Sequence, residues 1–127
     1  MLLDRILSCV DLPQAAVRFI TPPQSTYLIY MVERRRYGSD SKNLLEDVSV
    51  TFEVYSYDFL DNDALEMVGQ AIDAAALEYI RYDTVYLDDE QLYMTTFLFN
   101  YIEKIPIRGA DCSYGDRRYR QDNAWLR

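Results

Sequence analysis

Three groups of side chains have the types and spacing that could do chemistry. Asp88, Asp89 and Glu90 form a run of carboxylates, Asp58, Asp61 and Asp63 a second acidic group, and Arg34, Arg35 and Arg36 are consecutive. Clustered carboxylates can hold a hard cation. Calcium, however, takes six or more oxygens from a loop of defined pattern, and no Asp-x-Asp-x-Asp-Gly run occurs. Asp88-Asp89-Glu90-Gln91 reads instead as a solvated hairpin turn. Asp61, Asn62 and Asp63 read as helix-capping residues, with Glu66 three positions after Asp63. The arginine run could grip phosphate, or it could pair with carboxylates of another chain.

The rest of the composition narrows the chemistry further. The chain has no histidine, so the commonest general base and metal ligand near neutral pH is missing, and a Ser-His-Asp or Cys-His site cannot form within it. Cys9 and Cys112 are too few for a disulfide scaffold or a zinc cluster and read as free thiols. Four glycines, Gly38, Gly69, Gly109 and Gly115, make no phosphate-cradling loop. These residues point to no catalytic, metal-ligating or cofactor-binding site, and no cofactor and no enzyme activity are expected.

The charge is −8 overall and unevenly placed. Residues 104–127 carry Lys104, Arg108, Arg117, Arg118, Arg120 and Arg127 against Asp111, Asp116 and Asp122, a net of +3; the first 103 residues are −11. An acidic body repels a phosphate backbone, so DNA should pass without specific binding, and the arginine run is expected to meet protein. A basic end on an acidic body suggests docking on itself or on a neighbour. Of the twelve tyrosines, Tyr37 lies in the polar 33–47 stretch and Tyr114 and Tyr119 lie in the C-terminal segment, and tyrosine and arginine together are the residues enriched at protein interfaces. Trp125, near the last residue, is apolar area of the kind that has a partner. The expected interface residues are therefore Arg34, Arg35, Arg36 and Tyr37, with Arg117, Arg118, Tyr119, Arg120 and Trp125.

The elements that would position these residues follow from periodicity. Leu3, Ile6, Leu7 and Val10 fall on one face of a helix, which Pro13 ends. A short strand is expected near 15–20, before the break at Pro22-Pro23. Tyr27–Val32 reads as a strand apolar on both faces. Residues 33–47 turn polar and read as a long hairpin loop. In 48–55, Val48, Val50, Phe52 and Val54 alternate with Ser49, Thr51, Glu53 and Tyr55, the pattern of a strand with one buried face. Leu65, Val68, Ile72, Ala75 and Ala76 predict a helix over about 62–77. Strands near 79–87 and 92–103 flank the turn at 88–91 as a hairpin. The expected fold is one α+β domain over residues 1–105, a mainly antiparallel sheet of about four strands with two helices on one face. Residues 106–127 read as an extended basic arm.

No apolar run approaches the ~20 residues that span a bilayer, so no membrane partner is expected. Asp4 and Arg5 interrupt the opening apolar residues, so the start does not read as a secretory signal and the chain is expected to be made inside the cell.

Pro22-Pro23 leading into Tyr27-Leu28-Ile29-Tyr30 resembles the opening strand of small neck proteins of tailed phages. Val50-Thr51-Phe52-Glu53-Val54-Tyr55, the Asp-rich helix start, and Val85-Tyr86-Leu87 through Leu92-Tyr93-Met94-Thr95-Thr96-Phe97 continue the pattern over about residues 1–103. Together they resemble the tail terminator (tail-completion, or minor tail) proteins of long-tailed bacteriophages. The resemblance implies a structural virion protein of the neck, assembled in the host cytoplasm: a homo-hexameric ring that ends the tail tube and joins it to the head connector or stopper. In that family the long hairpin loop reaches toward neighbouring proteins. The arm over 106–127 is longer than the family's usual ending. A head-closure or connector-adaptor ring of the same neck is a second structural reading; a monomeric binding module and a carboxylate-based nuclease are rivals from other classes.

Overall fold

A computed structural model describes residues 2–37, 43–59 and 62–106. Its elements are α1 (Leu2–Ser8), β1 (Gln14–Ala16), β2 (Tyr27–Tyr37), β3 (Asn43–Ser56), α2 (Asn62–Ala74), β4 (Ile80–Arg81), β5 (Val85–Leu87) and β6 (Leu92–Pro106). The class is α+β, as expected. The sheet is larger than the expected four strands and is mixed. Six strands run in the order β1-β2-β3-β6-β4, with β5 also on β6. β1 lies parallel to β2 (Gln14↔Leu28, Ala16↔Tyr30), while β4 and β5 are antiparallel to β6. The chain between β1 and β2, residues 17–26, is long enough to carry it back for a parallel pair, which a tight hairpin cannot do.

The chain divides into two compact units, Met1–Arg34 with Val48–Tyr101, and Arg35–Asp47 with Ile102–Arg127. The core belongs to the first. Val48, Val50, Phe52 and Val54 of β3, Leu28 of β2, and Phe97, Phe99 and Tyr101 of β6 face a single cluster. That cluster also holds Leu3, Ile6, Leu7 and Val10 of the first helical stretch and Leu65, Val68, Ala71 and Ile72 of α2. Both helices therefore cover one face of the sheet, because the odd–even alternation of each strand points every second residue at them. Phe52 and Phe99 meet edge to face at 5.1 Å in its centre.

A second, smaller cluster lies on the other face. Tyr27, Ile29 and Leu92 are buried there with Phe19 and Tyr55 packed against them. The segment after β1 folds over that end of the sheet: Phe19 meets Tyr27 edge to face at 5.3 Å, Tyr27 stacks on Tyr55 at 5.1 Å, and the Tyr57 hydroxyl donates to the Pro23 carbonyl at 3.0 Å. This accounts for the unbroken apolar run at the start of β2, which is buried on both faces.

The helix ends show how local chemistry sets the boundaries. α1 closes at Ser8, and the Gln14 side-chain amide donates to the carbonyls of Leu7, which also takes Val10 N–H, and of Val10 just beyond the helix, at 3.1 and 3.0 Å. α2 begins at Asn62 with Asp63 in its first turn, where a carboxylate suits the helix dipole. Asp61, the other expected cap, lies outside the described residues. α2 stops earlier than the expected 77. Leu77 N–H bonds Ile72 carbonyl and Ala76 N–H bonds Asp73 carbonyl, with Ala76 at φ 60°, a Schellman-type ending built on alanine.

Of the region expected to be a 33–47 loop, residues 33–37 and 43–47 are strand. β2 continues to Tyr37 and β3 begins at Asn43, leaving five residues between them. So short a link joins antiparallel neighbours. Backbone pairing needs no apolar side chains, so a polar, exposed stretch such as Glu33–Tyr37 extends the ladder without any hydrophobic signature.

The expected strand 79–87 is broken in two. Ile80↔Leu98 and Arg81↔Phe97 set one register, and Val85↔Met94, Tyr86↔Tyr93 and Leu87↔Leu92 set another, so residues 82–84 face only 95–96. One extra residue makes a β-bulge, pinned by Tyr82 N–H on the Thr96 carbonyl at 2.9 Å and by Thr84 and Thr95 hydroxyls 2.6 Å apart. The turn at 88–91 forms as expected, closed by Gln91 N–H on the Leu87 carbonyl with Gln91 at φ 57°.

Candidate interaction surfaces

Of the expected interface residues, Arg34, Arg35, Arg36 and Tyr37 lie on the last turns of a strand rather than in a loop. Alternation puts 34 and 36 on one face and 35 and 37 on the other, so they do not form one patch. Arg35 sits over the Tyr37 ring at 5.8 Å. Arg36 Nε donates to Glu46 Oε2 at 3.0 Å; Glu46 is buried, while the Arg36 side chain is mostly exposed. A buried carboxylate held by a guanidinium is costly to separate, which fixes this arginine to its own hairpin. Arg117, Arg118, Tyr119, Arg120 and Trp125, with the arm that carries them, lie outside the described residues.

The sheet itself offers two further surfaces that composition did not reveal. On the face away from the helices, beyond the Tyr27 cluster, lies a groove of about 710 Å³. Its lining includes Met31, Glu33, Ser49, Thr51, Ile80, Leu98 and Asn100, which come from β2, β3, β4 and β6, with Glu78 just before β4. The lining combines two carboxylates, Glu33 and Glu78, with apolar and hydroxyl side chains.

The second surface is the edge formed by β4, the bulge and β5. Tyr86 and Tyr93 are cross-strand partners with ring centres 4.9 Å apart, and Phe59, just before α2, meets Tyr93 edge to face at 5.3 Å. Phe59 is 62 % exposed, and Ile80, Tyr82, Val85 and Tyr86 are each about half exposed. Phe59, Arg81, Tyr82, Asp83 and Thr84 surround a cleft of about 440 Å³. Arg81 is 4.0 Å from Glu66 in a solvent-facing pair that contributes little. Sequence reasoning placed Tyr86 and Tyr93 within the strands expected near 79–87 and 92–103 and did not count them among the interface residues. The bulge turns this edge outward, and no single-residue signal marks a bulge.

Tyr55 and Tyr27 have shifted titrations. Burial raises the Tyr55 phenol above its ordinary 10.0, reinforced by the hydroxyl's hydrogen bond to Glu53 Oε1 at 2.7 Å and by that carboxylate's charge. Burial also raises Tyr27, with smaller contributions from Tyr57 and Glu90.

Among the described residues, no group of three or more Cys, Asp or Glu side chains is placed to hold a metal ion, and no helix is long and apolar enough to cross a membrane. No family model matches the chain, and no curated protein matches it in sequence.

Proposed function

We propose that this chain is a structural virion protein of a long-tailed phage neck, a tail terminator whose ring ends the tail tube and joins it to the head connector. The order of its sequence motifs resembles that family. The observation that carries the reading is the aromatic edge around Phe59, Tyr82, Tyr86 and Tyr93. A monomer that stayed alone would leave this ring-rich area in water, and aromatic side chains of this kind anchor protein–protein contacts. In this reading Arg34, Arg35 and Tyr37 reach a neighbouring protein, and Arg117, Arg118, Tyr119, Arg120 and Trp125 bind another. The acidic body leaves passing DNA unheld.

The test is to add the purified chain to tail tubes assembled without their terminator and to image the ends by electron microscopy. A ring of density at one end, with tube growth arrested, is the expected result. Tubes that stay bare and keep growing overturn the proposal, and capture on the head connector alone moves the chain to the head-closure role.

A further inference from the structure

We propose that copies of this chain meet head to tail across the two edges of the sheet. The turn after β1 of one copy would sit in the aromatic cleft beside the bulge of the next. This names the contact that the ring reading above requires, and rests on that reading.

The β1 edge ends in a strained turn. Arg18 N–H donates to the Ala16 carbonyl at 2.7 Å around Val17, whose φ is 69°. A γ-turn of this hand is rare and strained, and a β-branched residue at positive φ is an outlier. It is held because Val17 N–H bonds the Tyr30 carbonyl of β2 at 3.0 Å. Val17, at the centre of the turn, is 68 % exposed, and Ile20, two residues beyond Arg18, is 89 % exposed. Arg18 is the single charged residue between positions 12 and 26. Strain spent to display two aliphatic side chains and a guanidinium at a sheet edge points to a contact there.

The opposite edge is its complement in charge and shape. Residues 80–90 carry Arg81 against Asp83, Asp88, Asp89 and Glu90, a net of −3. The cleft of about 440 Å³ places Asp83 beside Phe59 and Tyr82. Neither the Arg18 guanidinium nor the Asp83 carboxylate has a side-chain partner among the described residues. Ile20 fits between the two rings, and Arg18 reaches Asp83 while stacking on tyrosine, a geometry that suits arginine.

Backbone pairing is blocked on both sides. β1 has three residues, and the Ala16 carbonyl is already taken; the bulge at 82–84 interrupts the ladder on the other side. The contact is therefore made by side chains. Because the two patches differ, each copy offers one of each, which is what a heterologous, ring-closing interface needs.

Sedimentation velocity on the full chain tests this. The wild type is expected to form species larger than a dimer at its highest soluble concentration. Ile20→Asp and, separately, Tyr82→Asp should each weaken association at least about tenfold, the order expected when a buried anchor is lost from a small interface. Mixing these two variants should give a dimer and nothing larger, since each retains one intact patch. Arg18→Asp should weaken association and Asp83→Arg in the same chain should restore it, a result that misfolding cannot mimic. A wild type that stays monomeric, an association unmoved by the substitutions, or a mixture without dimer overturns the contact. The tube experiment is separate. Variants that still cap tubes as rings overturn this contact and leave the tail role standing; edge-dependent association in a chain that ignores tubes does the reverse.

Discussion

At the scale of single residues, three positions carry conformations or environments that their type alone does not suggest. Ala76 ends α2 at φ 60°, where glycine is the usual occupant because a Cβ crowds the following carbonyl. Its own N–H on the Asp73 carbonyl and the Leu77 N–H on the Ile72 carbonyl hold it there. Ala76→Gly should stabilise the fold by about 1 kcal/mol, read as a higher urea midpoint at unchanged slope. Tyr55 is the second. Its folded-state pKa lies above the unfolded value of 10.0, so the native state keeps its proton where the unfolded state loses it. Its stabilising contribution is whole below about pH 10 and is lost as pH rises past that value toward the raised native pKa. Urea midpoints for the wild type should therefore fall more steeply between neutral pH and the alkaline limit than those for Tyr55→Phe. The variant should itself be weaker by about 1 kcal/mol at neutral pH, through loss of the bond to Glu53. The third is Val17, whose strained turn has no hint in composition. A sequence reader sees a β-branched residue and extends the strand, as the 15–20 expectation did.

At the scale of elements, the informative contacts are those by which one element completes another. The Gln14 amide, on β1, closes the end of α1 through the carbonyls of Leu7 and Val10. Gln14→Ala should cost about 1 kcal/mol in thermal or urea unfolding. Gln14→Glu should cost more at neutral pH, because a carboxylate can only accept and would face two carbonyls. Protonating it in acid returns a donor, so the gap between Glu and Ala variants should narrow as pH falls. Gly69 on α2 is a second such junction. A Cβ there would sit 2.6 Å from the Tyr79 hydroxyl, and Tyr79 in turn packs its ring 5.6 Å from Phe97. The helix accepts a poor helix former so that an aromatic side chain can lie close across it. The bulge at 82–84 is the third. It changes the register of one edge by a residue and so turns Tyr82 and its neighbours to a different side.

At the scale of the whole molecule, the proposed assembly among proteins rests on the net charge of −8, which disfavours polyphosphate, and on the aromatic edge. The edge contact and the capping of tail tubes are the two outcomes in which that balance is tested. One face of the sheet is covered by helices. The other is closed by Phe19 at one end and open along the groove. An α+β sheet with a single helical layer leaves such a face to solvent or to a partner.

Much of this architecture was legible in the order of residues. The faces of both helices and the alternation Val48, Val50, Phe52, Val54 were readable because burial on one side imposes a period of 3.6 or 2 on apolar residues, whatever else the chain does. The 88–91 turn was readable from its polar run between β-rich flanks. The extension of the hairpin through Arg34–Tyr37, the parallel pairing of β1, the bulge and the strained turn at Val17 were not. Each is set by which backbone groups find partners across the sheet, and apart from proline every residue type brings the same backbone donor and acceptor. Side-chain pattern reports burial; register, strand partnership and the aim of an edge emerge only when the strands lie side by side.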